Sequence, residues 1–253
     1  YQTAVFYPPN WLYLVIPTEY AMGWVGLLHL LWAGLGMMAY LRQLGIGRLG
    51  QGLGALSFAL SGYMIGRFGF LSITSAVPWL PWLLWVVDGL LLWDRLDGGQ
   101  AMCRRVALLA GVVAMQLLAG HAQTAFYSLA LAGAYALWRS LTSLPREEAA
   151  KRLGAALGAV LLGFGMAAIQ LSPTLELLRT SQRAGGIEPE VALVYSFWPW
   201  RFLTLAAPNL FGSPATGDYW GYAAYWEDAI YVGLLTLGMA LHGIARWIRE
   251  RKA

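Results

Sequence analysis

An all-α, polytopic membrane bundle of about seven spans is the fold class the sequence predicts, on three observations. The 253-residue chain is 58% hydrophobic and only 12% charged, with a mean hydropathy of +0.55; soluble domains carry about 25% charged residues. Apolar runs near the length of a bilayer crossing, about 20 residues, recur along the chain. Of 17 Lys and Arg residues, all but Arg67, Arg179, Arg183 and Arg201 fall in one alternating set of loops. The positive-inside rule then places the N-terminus outside and the C-terminus in the cytoplasm.

The expected spans are 21–41, 49–66, 77–93, 105–119, 123–138, 153–172 and 228–245, forming one transmembrane domain over 1–253. The first follows Glu19 and closes at Arg42; Glu19 reads as a cap or as a carboxylate near a site. His29 lies about 13 Å into this span. At that depth an ionisable group is costly and often functional, or it is a neutral imidazole bonded to a neighbour. The second span carries Ser57, Ser61 and glycines 50, 52, 54, 62 and 66, and so reads also as a broken or re-entrant segment. Pro78-Trp79-Leu80-Pro81-Trp82 is an interfacial entry to the third, where Asp88 is expected to pair with a neighbour or reach interfacial water. The fourth and fifth spans are joined by the short turn Gly120-His121-Ala122-Gln123. Arg146, Lys151 and Arg152 precede the sixth.

An outer loop over 173–227 follows. Ser172-Pro173 reads as an N-cap with proline in the first turn, opening a short helix to about Arg183. The loop is rich in aromatics, among them Tyr195, Trp198, Trp200, Trp220, Tyr222 and Trp226. Glu227 and Asp228 begin the last span, where the helix dipole favours acids. Gly50/Gly54, Gly62/Gly66 and Gly154/Gly158 have the four-residue spacing that permits close packing in lipid.

Candidate substrate contacts lie on the outer side. His121, Gln123 and the following Tyr127 present an imidazole, an amide and a phenol around one turn, or form a polar turn at headgroup level. Glu176, Arg179 and Arg183 share a helical face. Their arginines either touch lipid headgroups or clamp a phosphate, which the guanidinium fork suits. Arg67 is a second phosphate-holding candidate or a snorkelling anchor. Trp198 and Trp220 are interfacial aromatics or stack on a sugar or a prenyl chain.

Several classes are excluded. No P-loop, dinucleotide fingerprint, HExxH or nucleophile elbow is present. The basic residues sit in short loops and make no stripe for nucleic acid. Cys103 is the single cysteine, so an intrachain disulfide and a cysteine metal cluster are both ruled out.

Phe6-Tyr7-Pro8-Pro9-Asn10, Gly120-His121-Ala122-Gln123, Gln170-Leu171-Ser172-Pro173 with Ser181-Gln182-Arg183, Pro208-Asn209-Leu210-Phe211-Gly212 and Tyr231-Val232-Gly233 together resemble the YfhO-like bacterial membrane proteins. Ala122 stands where that family usually has proline. The resemblance implies a polytopic glycosyltransferase of the GT-C type. Such enzymes transfer a sugar from a polyprenyl-phosphate donor at the extracytoplasmic face to a cell-envelope acceptor, with a divalent metal as an optional cofactor. It implies a carboxylate base just before the Gln-x-x-x-Phe-Tyr-Pro stretch that begins here at Gln2, upstream of Tyr1. The chain is therefore expected to be a piece of a longer protein, with Glu19 a poor substitute for that base. The rival expectations are a lipid or polysaccharide transporter and a non-catalytic membrane subunit.

Overall fold

Apolar runs bounded by Arg, Pro and Gly become helices. In the computed structural model, which describes residues 4–92, 98–181, 193, 196–221 and 224–250, every regular element is helical. A 3-10 turn, Pro8–Leu14, leads into α1 (Thr18–Gln43); α2 (Arg48–Ala59), α3 (Gly62–Gly66), α4 (Leu71–Ala76), α5 (Trp79–Leu92), α6 (Gly98–Leu118), α7 (Ala122–Ser143), α8 (Arg146–Met166) and α9 (Ala168–Thr180) follow. After a second 3-10 turn, Pro199–Leu205, come α10 (Tyr225–Asp228) and α11 (Leu234–Glu250). Arg95, Gln182, Arg183, Tyr195, Tyr222, Arg251 and Lys252 lie outside the described residues.

Four helical stretches have the length and hydropathy of a membrane crossing: α1, Leu71–Leu92 (α4 with α5), Gln100–Leu118 of α6, and α8. The protein is a helical membrane protein on that evidence. Leu27, Leu31 and Leu35 of α1 and Leu157, Leu161 and Leu162 of α8 face outward, an arrangement that only a lipid solvent favours.

The core lies where α5, α6, α7 and α8 meet, around Leu83, Leu90, Leu91, Leu109 and Val113. Small residues bring the helices together. A Cβ on Gly163 of α8 would stand 2.8 Å from the Ala110 carbonyl of α6, and one on Gly36 of α1 would stand 2.6 Å from the Trp82 indole. Gly154 and Gly158, by contrast, face open space, so that pair does not serve as a packing notch.

The expected second span is two helices. α2 has 12 residues, about 18 Å, well short of a hydrocarbon core of about 30 Å. The chain leaves the helix at Leu60, and Ser61 turns extended so that its Oγ accepts the Met64 N–H and caps α3. The helix expected to start at Pro173 starts instead at Ala168, with Pro173 inside it. Its boundary falls at Ala167, whose backbone (φ −87°, ψ 1°) ends α8. Ser172 therefore caps nothing. The last helix begins at Leu234 rather than at residue 228.

Two buried polar groups hold the bundle together. Tyr7, fully buried, lies against His29, about 16 Å beyond Thr18 along the helix. His29 Nδ1 donates to the Val25 carbonyl (2.6 Å), so its Nε2 accepts the Tyr7 hydroxyl (2.7 Å); Trp79 Nε1 donates to the same hydroxyl (2.8 Å). His29 is thus a bonded neutral imidazole, and Tyr7 of the Phe-Tyr-Pro motif is an anchor. At the other end Asp88 receives Gln43 Nε2 (2.9 Å), the Tyr135 hydroxyl (2.6 Å) and Arg139 Nε (3.1 Å). That is the pairing the sequence predicted for it, and it ties α1, α5 and α7 at one level.

Candidate functional site

Arg67, Glu227, Arg201 and Asp228 converge beside α3. Arg67 follows that helix directly, and its carbonyl accepts the Thr74 hydroxyl (2.9 Å), which fixes the turn between α3 and α4. Its side chain points inward with only 8% of its surface exposed; it is not a snorkelling anchor. A buried guanidinium needs a counter-charge. Arg67 Nη2 meets Glu227 Oε2 at 3.1 Å, and the guanidinium carbon lies 4.0 Å from the Tyr63 ring centroid. Nη1 is buried without a hydrogen-bond partner among the described residues.

Next to it is a second pair. Arg201, carried on the Pro199–Leu205 turn, meets Asp228 Oδ1 at 2.8 Å with both side chains almost wholly buried. The Tyr219 hydroxyl donates to Asp228 Oδ2 (2.8 Å), and the Thr204 hydroxyl to the Asp228 carbonyl (2.6 Å). Burial first, then the hydrogen bond to Asp228, pushes the Tyr219 phenol well above its ordinary range. Glu227 and Asp228 therefore do not serve the dipole of the last helix. They sit in their own short turn, α10, and each neutralises an arginine.

Two glycines make room for this turn. Gly62 N–H donates to the Tyr231 carbonyl (2.7 Å), and a Cβ at Gly62 would stand 3.0 Å from Tyr231 N. A Cβ at Gly66 would meet that of Ala229 at 2.9 Å. The Gly62/Gly66 notch thus receives the extended segment 229–231, where the spacing alone suggested another helix.

His121 stands on the same side. It caps α7: its Nδ1 accepts the Thr124 N–H (3.2 Å) and lies 2.7 Å from the Thr124 hydroxyl. An accepting Nδ1 places the proton of the neutral ring on Nε2. Burial, and then the Arg67 charge, hold the imidazole below the usual histidine value. The charges of Arg67 and Glu227 and the Tyr127 phenol all act on Tyr63. Arg67, His121, Tyr63, Tyr127 and Glu227 therefore form one electrostatic neighbourhood.

This geometry has a pH consequence. A depressed histidine keeps its capping role in full above its ordinary value, about 6.5, and loses it as pH falls below, because a protonated Nδ1 cannot accept. Hydrogen exchange at residues 124–126, corrected for intrinsic rate, is expected to speed up on acidification, by up to the ~1 kcal/mol of a lost cap. His121→Asn keeps a capping side chain and should remove the pH dependence; an unchanged acid response in that variant would refute the assignment.

The other sequence candidates are not in this cluster. Gln123 Nε2 donates to the Tyr127 hydroxyl (3.0 Å) along the exposed face of α7. Glu176 and Arg179 are exposed on α9 and form no ion pair among the described residues. Arg183, the third member of that face, is outside the described residues. Glu19 is exposed in the first turn of α1, a position the helix dipole explains. Trp198 stacks on Trp200 (centroids 5.1 Å) and Trp220 packs edge-on to Phe211 (5.1 Å), both tryptophans remaining exposed.

Arg201 and Tyr63 are the members for which the sequence suggested no role, and Tyr219, expected among the loop aromatics that cover a sugar or prenyl chain, instead donates to Asp228. The usable signal for Arg201 was its scarcity as an outer cation. No group of three His, Cys, Asp or Glu that could hold a metal occurs among the described residues, and both carboxylates here are bonded to arginine. The residues present do not fit a divalent metal. Comparison with protein-family models, curated proteins and solved structures finds no match.

Proposed function

We propose that the chain crosses the membrane seven times and belongs to an extracytoplasmic glycosyltransferase of the YfhO-like, GT-C type, with its N-terminus outside and C-terminus in the cytoplasm of a bacterial inner membrane. In this reading α2–α3, α7 and α11 complete the crossings made by α1, α4–α5, α6 and α8. Residues 173–227 form the outer loop. The donor is a polyprenyl-phosphate-linked sugar and the acceptor belongs to the cell envelope.

One observation carries the reading: a buried arginine with an unpartnered nitrogen, Arg67 Nη1, lies beside a histidine whose free nitrogen, Nε2, bears a proton. Both are donors suited to a phosphate. The Glu227 side chain, 30% exposed, holds Arg67, and a lipid phosphate would compete with it for the guanidinium. Transfer leaves negative charge on that phosphate, and preorganised donors at such a point are the largest catalytic term in many enzymes. Arg179 and Arg183, with Glu176 on the same face by sequence, are further candidate donor contacts, as are Gln123 and Tyr127. Trp198 and Trp220 offer rings to the sugar or prenyl chain. The base that takes the acceptor proton is a carboxylate that this cluster does not supply, since Glu227 and Asp228 are both bonded to arginine.

The test is sugar transfer from polyprenyl phosphate by the full-length protein. Arg67→Lys keeps the charge and loses the fork; it is expected to lower turnover about 10²-fold with thermal stability retained. Unchanged turnover in a well-folded variant would remove Arg67 from the reaction. The break between α2 and α3 supports a second reading as a transporter, since broken helices often line transport sites. Solute flux without product in proteoliposomes would favour it.

A further inference from the structure

On the face where α1 and α6 both pack against α5, away from the outer cluster, two cavities of about 600 and 480 Å³ share Trp85, Val86, Arg104 and Leu108 as lining. The smaller is walled by Trp32, Trp79, Trp82 and Trp85, with Gly111 and Met115 opposite. Trp32 stacks on Trp82 (4.3 Å), and Trp82 Nε1 is satisfied by the Trp32 carbonyl (3.0 Å), so this wall is rigid and apolar. The larger cavity is polar, lined by Gln43, Gln100 and Arg105, with Arg104 shared between the two.

Charge and length select an occupant. Among the described residues no carboxylate lines either cavity. Asp88, bonded to Gln43, is neutralised by Arg139 and Tyr135. Arg105 is fixed by a hydrogen bond to the Gly89 carbonyl, while Arg104 is exposed with no ion pair among the described residues. From Arg104 to Met115 the groove runs about 16 Å along α6, and one leaflet of hydrocarbon is about 15 Å thick, half of a bilayer core. The groove therefore has the length of one leaflet, a cationic mouth at its headgroup end and an aromatic wall along its tail.

We propose that this groove holds one anionic phospholipid of the leaflet into which Arg104 projects, its phosphate on Arg104 and an acyl chain along the four tryptophans. The site is independent of the glycosyltransferase reading and needs only the membrane setting. The guanidinium favours a lipid with net negative charge over a zwitterion, whose choline would have to sit against Arg104 and Arg105.

Native mass spectrometry of the full chain, titrated with phosphatidylglycerol and phosphatidylcholine, tests this. One phosphatidylglycerol is expected to be retained with about tenfold preference, the effect of a single charge-assisted contact. Arg104→Gln should abolish the preference. Gly111→Leu should abolish retention of both lipids, because Gly111 lines the groove, a Cβ there meets nothing within 4 Å, and the added side chain would project into the space an acyl chain needs. Equal retention of the two lipids by the unaltered chain would overturn the proposal. So would unchanged phosphatidylglycerol binding in both variants, or a dimer that Gly111→Leu dissociates, which would make a second copy the occupant.

Discussion

Asp228→Ala is expected to destabilise the protein by about 3–5 kcal/mol, the typical cost of orphaning one member of a buried ion pair. Arg201 and Asp228 are both almost wholly inaccessible, and the carboxylate also receives the Tyr219 hydroxyl. Its loss leaves a guanidinium without its counter-charge, and Tyr219 loses its acceptor. The turn should then leave the Gly62/Gly66 notch and take Glu227 away from Arg67. Thermal unfolding in detergent reads the first effect; hydrogen exchange at residues 62–67 reads the second. The pair as a whole need not be stabilising, because desolvation offsets much of the attraction. Arg201→Met combined with Asp228→Leu should therefore recover most of the lost stability. A single alanine that unfolds at the same temperature as the unaltered protein would show that the pair is not buried.

Asp88→Ala, at the opposite end of the bundle, is expected to cost about 3 kcal/mol. Three donors from two neighbouring helices converge on this carboxylate: Gln43 from α1, and Tyr135 and Arg139 from α7. Arg139 keeps 28% of its side-chain exposure and can turn toward water after the change, so the cost should fall below that at Asp228. Asp88→Asn retains an acceptor for Tyr135 but removes the ion pair, and should lie between. Unfolding in detergent ranks the variants; a ranking with Asn as damaging as Ala would assign the stability to charge alone.

Much of the helix layout was legible because it follows from apolar run length, which is local. The four stretches that meet the crossing criteria fall on four expected spans. The weakness of the second was also visible, in its serines and glycines. What local reading could not supply was partnership. Glu227 and Asp228 satisfied a rule about helix starts, so nothing in their surroundings pointed to Arg67, 160 positions away, or to Arg201 across the outer loop. His121 was legible as a polar turn residue, but its cap on α7 and its proximity to Arg67 required the fold. Pro173 misled for a physical reason. Proline favours a first turn, yet a helix following directly on another can take its boundary from the earlier break at Ala167.

The long-range ties between α3 and α10 also set an order of events at the ribosome. Arg67 is made 160 residues before the carboxylate it will hold, a delay of roughly ten to thirty seconds at about 5–20 residues per second. During that interval the guanidinium can find a counter-ion only in water or among lipid headgroups. Its final burial is therefore a late docking event in biogenesis, and release of the nascent chain before Glu227 emerges would leave a basic residue stranded at the membrane surface.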